Sequence, residues 1–151
     1  SGDAYHMTTP SVGGEGAARC MKNAMRDAGV NAEQIDYINA HGTSTPAGDV
    51  GETQAMKAAL GDHAYNVAVS STKSMIGHPQ GASGGLGVTV SLLSLYNNFL
   101  TPTINQENPD PDCDLDYVPN KGREKNLNIA ISNCISFGSK NSALVLGKFP
   151  R

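Results

Sequence analysis

Two histidines stand in polar, glycine-bearing loops: His41 in "HGTSTPAGD" and His78 in "SSTKSMIGHPQGASGG", residues 70–85. Two neutral imidazoles aimed at one point donate hydrogen bonds to a carbonyl oxygen as it gains negative charge, a stabilisation that is usually the largest single term in catalysis. Taken alone, each histidine could equally tie down its own loop. Lys73, five residues before His78, could orient that ring or set its charge. Glu52 is its candidate counter-ion, because a buried lysine needs one. Thr43 and Thr45 could donate hydroxyls to a polar arm of a ligand, or cap the turn before Pro46, and local chemistry favours the cap.

The second loop ends in a G-x-S-x-G pattern centred on Ser83. A hydrolase nucleophile turn needs an apolar strand directly before the serine, with the acid and histidine after it. "IGHPQ" is no such strand, and His6, His41, His63 and His78 all precede Ser83. The hydrolase reading therefore fails on both counts. Gly81, Gly84, Gly85 and Gly87 also lack the spacing of a dinucleotide fingerprint and point to close packing where a helix begins. Cys20, Cys113 and Cys134 form no C-x-x-C and no metal-ligand spacing with the histidines, so reduced thiols and no metal are expected.

The elements that must position these loops follow from the apolar spacing. Residues 14–29 carry Ala17, Met21, Ala24, Met25 and Ala28 at helical period, with Gly29 as the cap. Residues 35–40 read as a short strand running into the His41 loop, and Asp49 as the N-cap of a helix to about residue 60. Residues 66–72 form a second strand that runs into the His78 loop. Residues 81–98 are apolar nearly all round and predict a buried helix. After a turn-rich loop, "NLNIAISNC" and "SALVLGKF" read as a hairpin. The sum is an α/β layer pattern with a mixed sheet, whose carboxyl ends open a crevice for both histidines. The last strand runs almost to the end of the chain, so either it is an inner strand or the domain is built around something further.

The 151 residues are enough for one domain, 1–151, with 38% hydrophobic residues and 17 glycines. A net charge of −3 and the scattered Lys121, Arg123 and Lys125 argue against nucleic acid and anionic membranes as partners. No run approaches a transmembrane span and the first residues lack the pattern of a signal peptide, so a cytoplasmic location is expected.

"NAHGTSTPAGDVGE", "SSTKSMIGH" and "SNCISFGSKN", in this order and at these separations, closely resemble the C-terminal half of the β-ketoacyl-acyl-carrier-protein synthases, the elongating condensing enzymes of type II fatty acid synthesis. "DAYHMTTP", "GEGAARCM", "DAGV" and "PTINQENPDPDCDLDYVP" extend the resemblance over essentially the whole chain. It implies a thiolase-like fold of two similar halves, and a decarboxylative Claisen condensation of an acyl group with malonyl-acyl carrier protein. His41 and His78 would then hold the malonyl thioester carbonyl. Lys73 would stand beside them with Glu52 its carboxylate partner, Thr43 and Thr45 would line the phosphopantetheine tunnel, and Phe137 would gate the acyl pocket. The resemblance implies no cofactor beyond the carrier's phosphopantetheine. Its implied partners are acyl carrier protein, the N-terminal half that holds the nucleophilic cysteine, and a second copy in a homodimer. The chain alone is expected to be inactive. A split half that binds a partner subunit or carrier without turnover is the competing reading.

Against the family pattern, Pro79 and Gln80 replace two apolar residues, Ser83 stands where alanine is common, and Lys140 where a small or neutral residue is usual. Ile135 takes a phenylalanine position, and Ser136 and Ser139 take glycine positions. A stiffer gate or an altered chain-length preference is expected, and Ser136→Gly with Ser139→Gly tests it through acyl-chain specificity and rate.

Overall fold

A computed structural model describes residues 1–138 and 140–149. The amphipathic stretch forms α1 (Glu15–Ala28), closed by Gly29 in the left-handed region as the sequence predicts. Strand β1 (Tyr37–Asn39) leads to α2 (Pro46–Leu60), and β2 (Ala68–Ser70) to a single turn, α3 (Lys73–Ile76). Helix α4 (Ser83–Asn97) follows. A small ribbon of β3 (Phe99–Leu100) and β4 (Arg123–Glu124) precedes the hairpin of β5 (Ile129–Ser136) and β6 (Lys140–Gly147).

The main sheet has the order β2-β1-β5-β6, parallel except for β6. From β1 the chain crosses through α2 to one neighbour, and from β2 it crosses back through α4 to β5. Crossovers of one hand running in opposite directions put their helices on opposite faces. Accordingly α1 and α2 cover one face, where Met21, Met25, Met56 and Leu60 pack on Ile38, Val69 and Ile131. On the other face Leu95 and Leu100 pack with Tyr37, Ala68 and Ala130. The alternation of Tyr37 and Ile38 between the faces is the period of two of a strand.

Close approach of α1 to α2 depends on Gly14, the N-cap of α1 at φ +64. A Cβ there would stand 2.1 Å from the Gly51 carbonyl oxygen.

Three expectations are corrected. Helix α2 starts earlier, with Thr45 at the N-cap and Pro46 in the first turn. Proline's fixed φ suits that position, and Asp49 lies inside the helix, accepting the Ser44 N–H at 3.1 Å. Helix α4 is not buried all round: Leu92, Leu93 and Tyr96 are exposed, Tyr96 at 71%. It packs through Leu95 and through Gly87, Ser91 and Ser94, whose small size lets it lie close on the sheet. Of the glycines at and just before its start only Gly87 is crowded, whereas Gly81, Gly84 and Gly85 face open space. Strand β6 is the outer strand of the sheet, its far edge met by a bridge from Gly2 to Lys140, which removes the inner strand from the two alternatives offered for this segment.

Candidate active site

β1 and β2 are parallel neighbours, so their carboxyl ends deliver His41 and the loop to His78 to the same rim of the sheet. The two rings meet edge to face, with centroids 5.4 Å apart and planes at 81°. The histidines therefore share one site.

The His41 turn is held from below by Glu52. This carboxylate, rising from α2, accepts the His41 N–H at 2.9 Å, the Gly42 N–H at 2.8 Å and the Asn133 side-chain amide at 3.2 Å. It is buried, and burial pushes its pKa up while the donors from Gly42, His41 and Asn133 oppose the rise. The same turn is held from the side by Ser71, just after β2, whose hydroxyl donates to the Gly42 carbonyl at 2.6 Å. Gly42 adopts φ +40, and a Cβ would stand 2.6 Å from the Ser71 Cβ, so both geometry and space require glycine.

Burial, then the charges of Lys73 and His78, push the His41 pKa down to about 4. Its ring is therefore neutral at physiological pH, the form that donates one hydrogen without carrying net charge. The Nδ1 atom of His41 is buried and has no hydrogen-bond partner among the described residues. His78 is anchored differently. Its Nδ1 accepts the Gln80 N–H at 3.1 Å and lies 3.1 Å from the Ser83 hydroxyl.

The histidines open into a cavity of about 570 Å³ that also takes in Thr8, Thr43, Thr45, Cys134 and Phe137. Phe137 stands at the turn of the β5-β6 hairpin and is 78% exposed. Behind the Thr43–Thr45 loop lies a second cavity of about 710 Å³, reached by His78, Lys73, Asp49, Cys113 and Tyr117. Glu52, Thr43 and Thr45 border both cavities.

The expected residues thus gather here, with two differences. Lys73 forms no ion pair with Glu52 within 4 Å among the described residues, and its charge acts at longer range: burial lowers its pKa, and the charges of Glu52 and then Cys134 raise it. Thr45 occupies the N-cap of α2, but its hydroxyl lies 3.3 Å from that of Thr43 and makes no capping bond. Sequence reasoning missed Asn133, Ser71 and Gln80. Each acts through a contact between segments distant in the chain or through a local turn; all three lie inside the quoted stretches, and Gln80 stood out there as a departure from the family pattern, but nothing in the spacing gave their contacts. Ser136 lies in β5, paired with Lys140, while Ser139 is outside the described residues.

Residues 1–107 match the family model "Beta-ketoacyl synthase, C-terminal domain". The chain belongs to this family. Over 148 residues the synthase domain is 56% identical to 3-oxoacyl-[acyl-carrier-protein] synthase 2 of Coxiella burnetii, covering 98% of this chain and 36% of the relative. It is 52% identical over 147 residues to the protein of the same name from Synechocystis, covering 97% and 35%. The domain therefore spans about a third of the length of these curated relatives.

Among solved structures, the synthase domain superposes with a TM-score of 0.97 and 36% identity on a chain from a type II PKS acyl-carrier protein in complex with its ketosynthase, covering 99% of this chain and 37% of that one. With a β-ketoacyl synthase from Burkholderia phymatum the TM-score is 0.92 at 36% identity, covering 99% and 36%. The fold is thiolase-like α/β. Among the described residues no helix is long and apolar enough to cross a membrane.

Proposed function

We propose that residues 1–151 are the C-terminal domain of a β-ketoacyl-acyl-carrier-protein synthase that condenses an acyl group with malonyl-acyl carrier protein, and that His41 and His78 are its catalytic histidines. The observation that carries this reading is the edge-to-face pair of imidazoles, one of them held neutral, at the head of a cavity edged by the Thr43 and Thr45 hydroxyls.

In this reading the malonyl thioester oxygen accepts hydrogen bonds from both rings. The bond from the α-carbon to the carboxylate breaks, carbon dioxide leaves, and the electron pair forms an enolate whose oxygen the imidazoles stabilise. The enolate carbon attacks an acyl thioester on a cysteine supplied by an N-terminal half. Collapse of the tetrahedral adduct returns the cysteine thiolate and leaves a 3-oxoacyl group on the carrier. Thr43 and Thr45 bind the phosphopantetheine arm, Phe137 gates the acyl pocket, and Lys73 sets the local potential through its charge. Glu52 holds the His41 turn and is a positioning residue. No cofactor beyond the carrier's own arm is required, the working protein is a cytoplasmic homodimer, and this chain alone is inactive.

The test is malonyl-carrier decarboxylation and condensation by this chain, alone and joined to its N-terminal half. Turnover only in the joined form, lost in His41→Ala and His78→Ala, supports the reading. A folded joined form without turnover favours instead a half that binds a partner or carrier without chemistry. The exposed Leu93 and Tyr96 on α4 are the observation behind that second reading.

A further inference from the structure

The G-x-S-x-G stretch that fails as a nucleophile turn has a place beside the histidines. Ser83 is the first residue of α4 and is buried, yet its hydroxyl reaches back over the turn to His78 Nδ1 at 3.1 Å. The Gln80 N–H reaches the same nitrogen, also at 3.1 Å. Gln80 adopts φ +48, a left-handed conformation that costs a residue with a Cβ about 1–2 kcal/mol, so the turn spends stability to aim that N–H.

A ring nitrogen facing a backbone donor keeps its lone pair, so the hydrogen of neutral His78 sits on Nε2. One donor fixes that tautomer but leaves the ring free to rock about it. We propose that Ser83 is a positioning residue for His78, its hydroxyl being the second donor that fixes the direction of the Nε2–H. The two donors come from different elements, the Pro79–Gln80 turn and the start of α4, and few ring rotations satisfy both. Rigid aim matters because a donor stabilises a developing oxyanion only along a narrow approach. This inference rests on the reading of His78 as a donor to the thioester oxygen.

The experiment compares wild type, Ser83→Ala and Ser83→Thr in this domain joined to its N-terminal half. It measures malonyl-carrier decarboxylation and the ¹⁵N signals of the His78 ring. Loss of one hydrogen bond predicts that Ser83→Ala lowers kcat about five- to tenfold, with KM for the carrier changed less than about twofold. The Nδ1 signal of that variant moves toward the position of a less hydrogen-bonded acceptor, and Ser83→Thr, which keeps the hydroxyl, stays near wild type. An unmoved Nδ1 signal in Ser83→Ala overturns the inference, as does a Ser83→Ala kcat within about twofold of wild type. If the wild type does not turn over, the reading of the site fails, and the Nδ1 shift alone still decides whether Ser83 donates.

Discussion

His41 has one property that stability measurements read directly. Its folded pKa of about 4 lies below the ordinary 6.5, so between these values the unfolded chain binds the extra proton. The corresponding stability is fully present above about pH 6.5 and is lost as pH falls toward 4. Urea denaturation across that window is expected to show stability rising with pH, and His41→Gln is expected to flatten the rise. A slope unchanged in the variant assigns the effect to other groups. Glu52 offers a second test. Its carboxylate accepts three hydrogen bonds, two from backbone N–H groups. Glu52→Gln keeps the size but turns an –NH₂ toward one donor, leaving that buried N–H unpaired. The expected loss is about 1–3 kcal/mol, read as a lower midpoint in urea. His41 and His78 were legible in the sequence as residue types in suggestive loops, and Glu52 as a carboxylate on the helix that follows the first of them. Their roles were less so: Glu52 was matched to Lys73, yet its bonds go to the His41 turn and Asn133, partners chosen by folding and silent in local spacing.

Among the elements, helices and strands with a clear period appeared where the sequence put them, and the β5-β6 hairpin joined as expected. The error at α4 has a physical cause. A helix apolar on several sides has no periodicity to say which side meets the sheet, so α4 read as buried when only its Ser83, Gly87, Ser91, Ser94 and Leu95 face is. Backbone space is likewise invisible: four glycines looked alike, but only at Gly87 would a Cβ crowd other atoms, 2.7 Å from Ser132 Oγ and 3.1 Å from Asn39 Oδ1. Gly87→Val is accordingly expected to lift α4 from the sheet, at about 1–3 kcal/mol of overpacking, although valine suits a helix no worse than glycine. Gly84→Ala, in open space, is expected to leave stability unchanged or raise it. Equal midpoints for the Gly87 variant and wild type would contradict the packing argument.

At the scale of the molecule, exposed apolar side chains are spread over the surface, and α4 carries a group of them, with Leu92 at 48%, Leu93 at 55% and Tyr96 at 71% exposure. Apolar surface of this kind drives association when nothing covers it. The chain alone is expected to elute in light-scattering chromatography as concentration-dependent oligomers, and Leu93→Lys with Tyr96→Lys to shift it toward monomer. A monomeric wild type at all concentrations would show that the surface is tolerated. The family resemblance led to the C-terminal half of a synthase, but nothing in the local pattern told which face of α4 meets the sheet.

The two sides of α4 also set different terms for change. Gly87, Ser91 and Leu95 answer to the sheet of this chain, while Leu92 and Leu93 turn toward whatever lies outside it. A saturation library selected for folding of this chain would therefore accept nearly any residue at 92 and 93 and almost none at 87. The same library selected for turnover in the joined protein would close those outer positions. Subtracting one tolerance profile from the other would draw the outline of the absent partner, one helix turn at a time, without a structure of the pair.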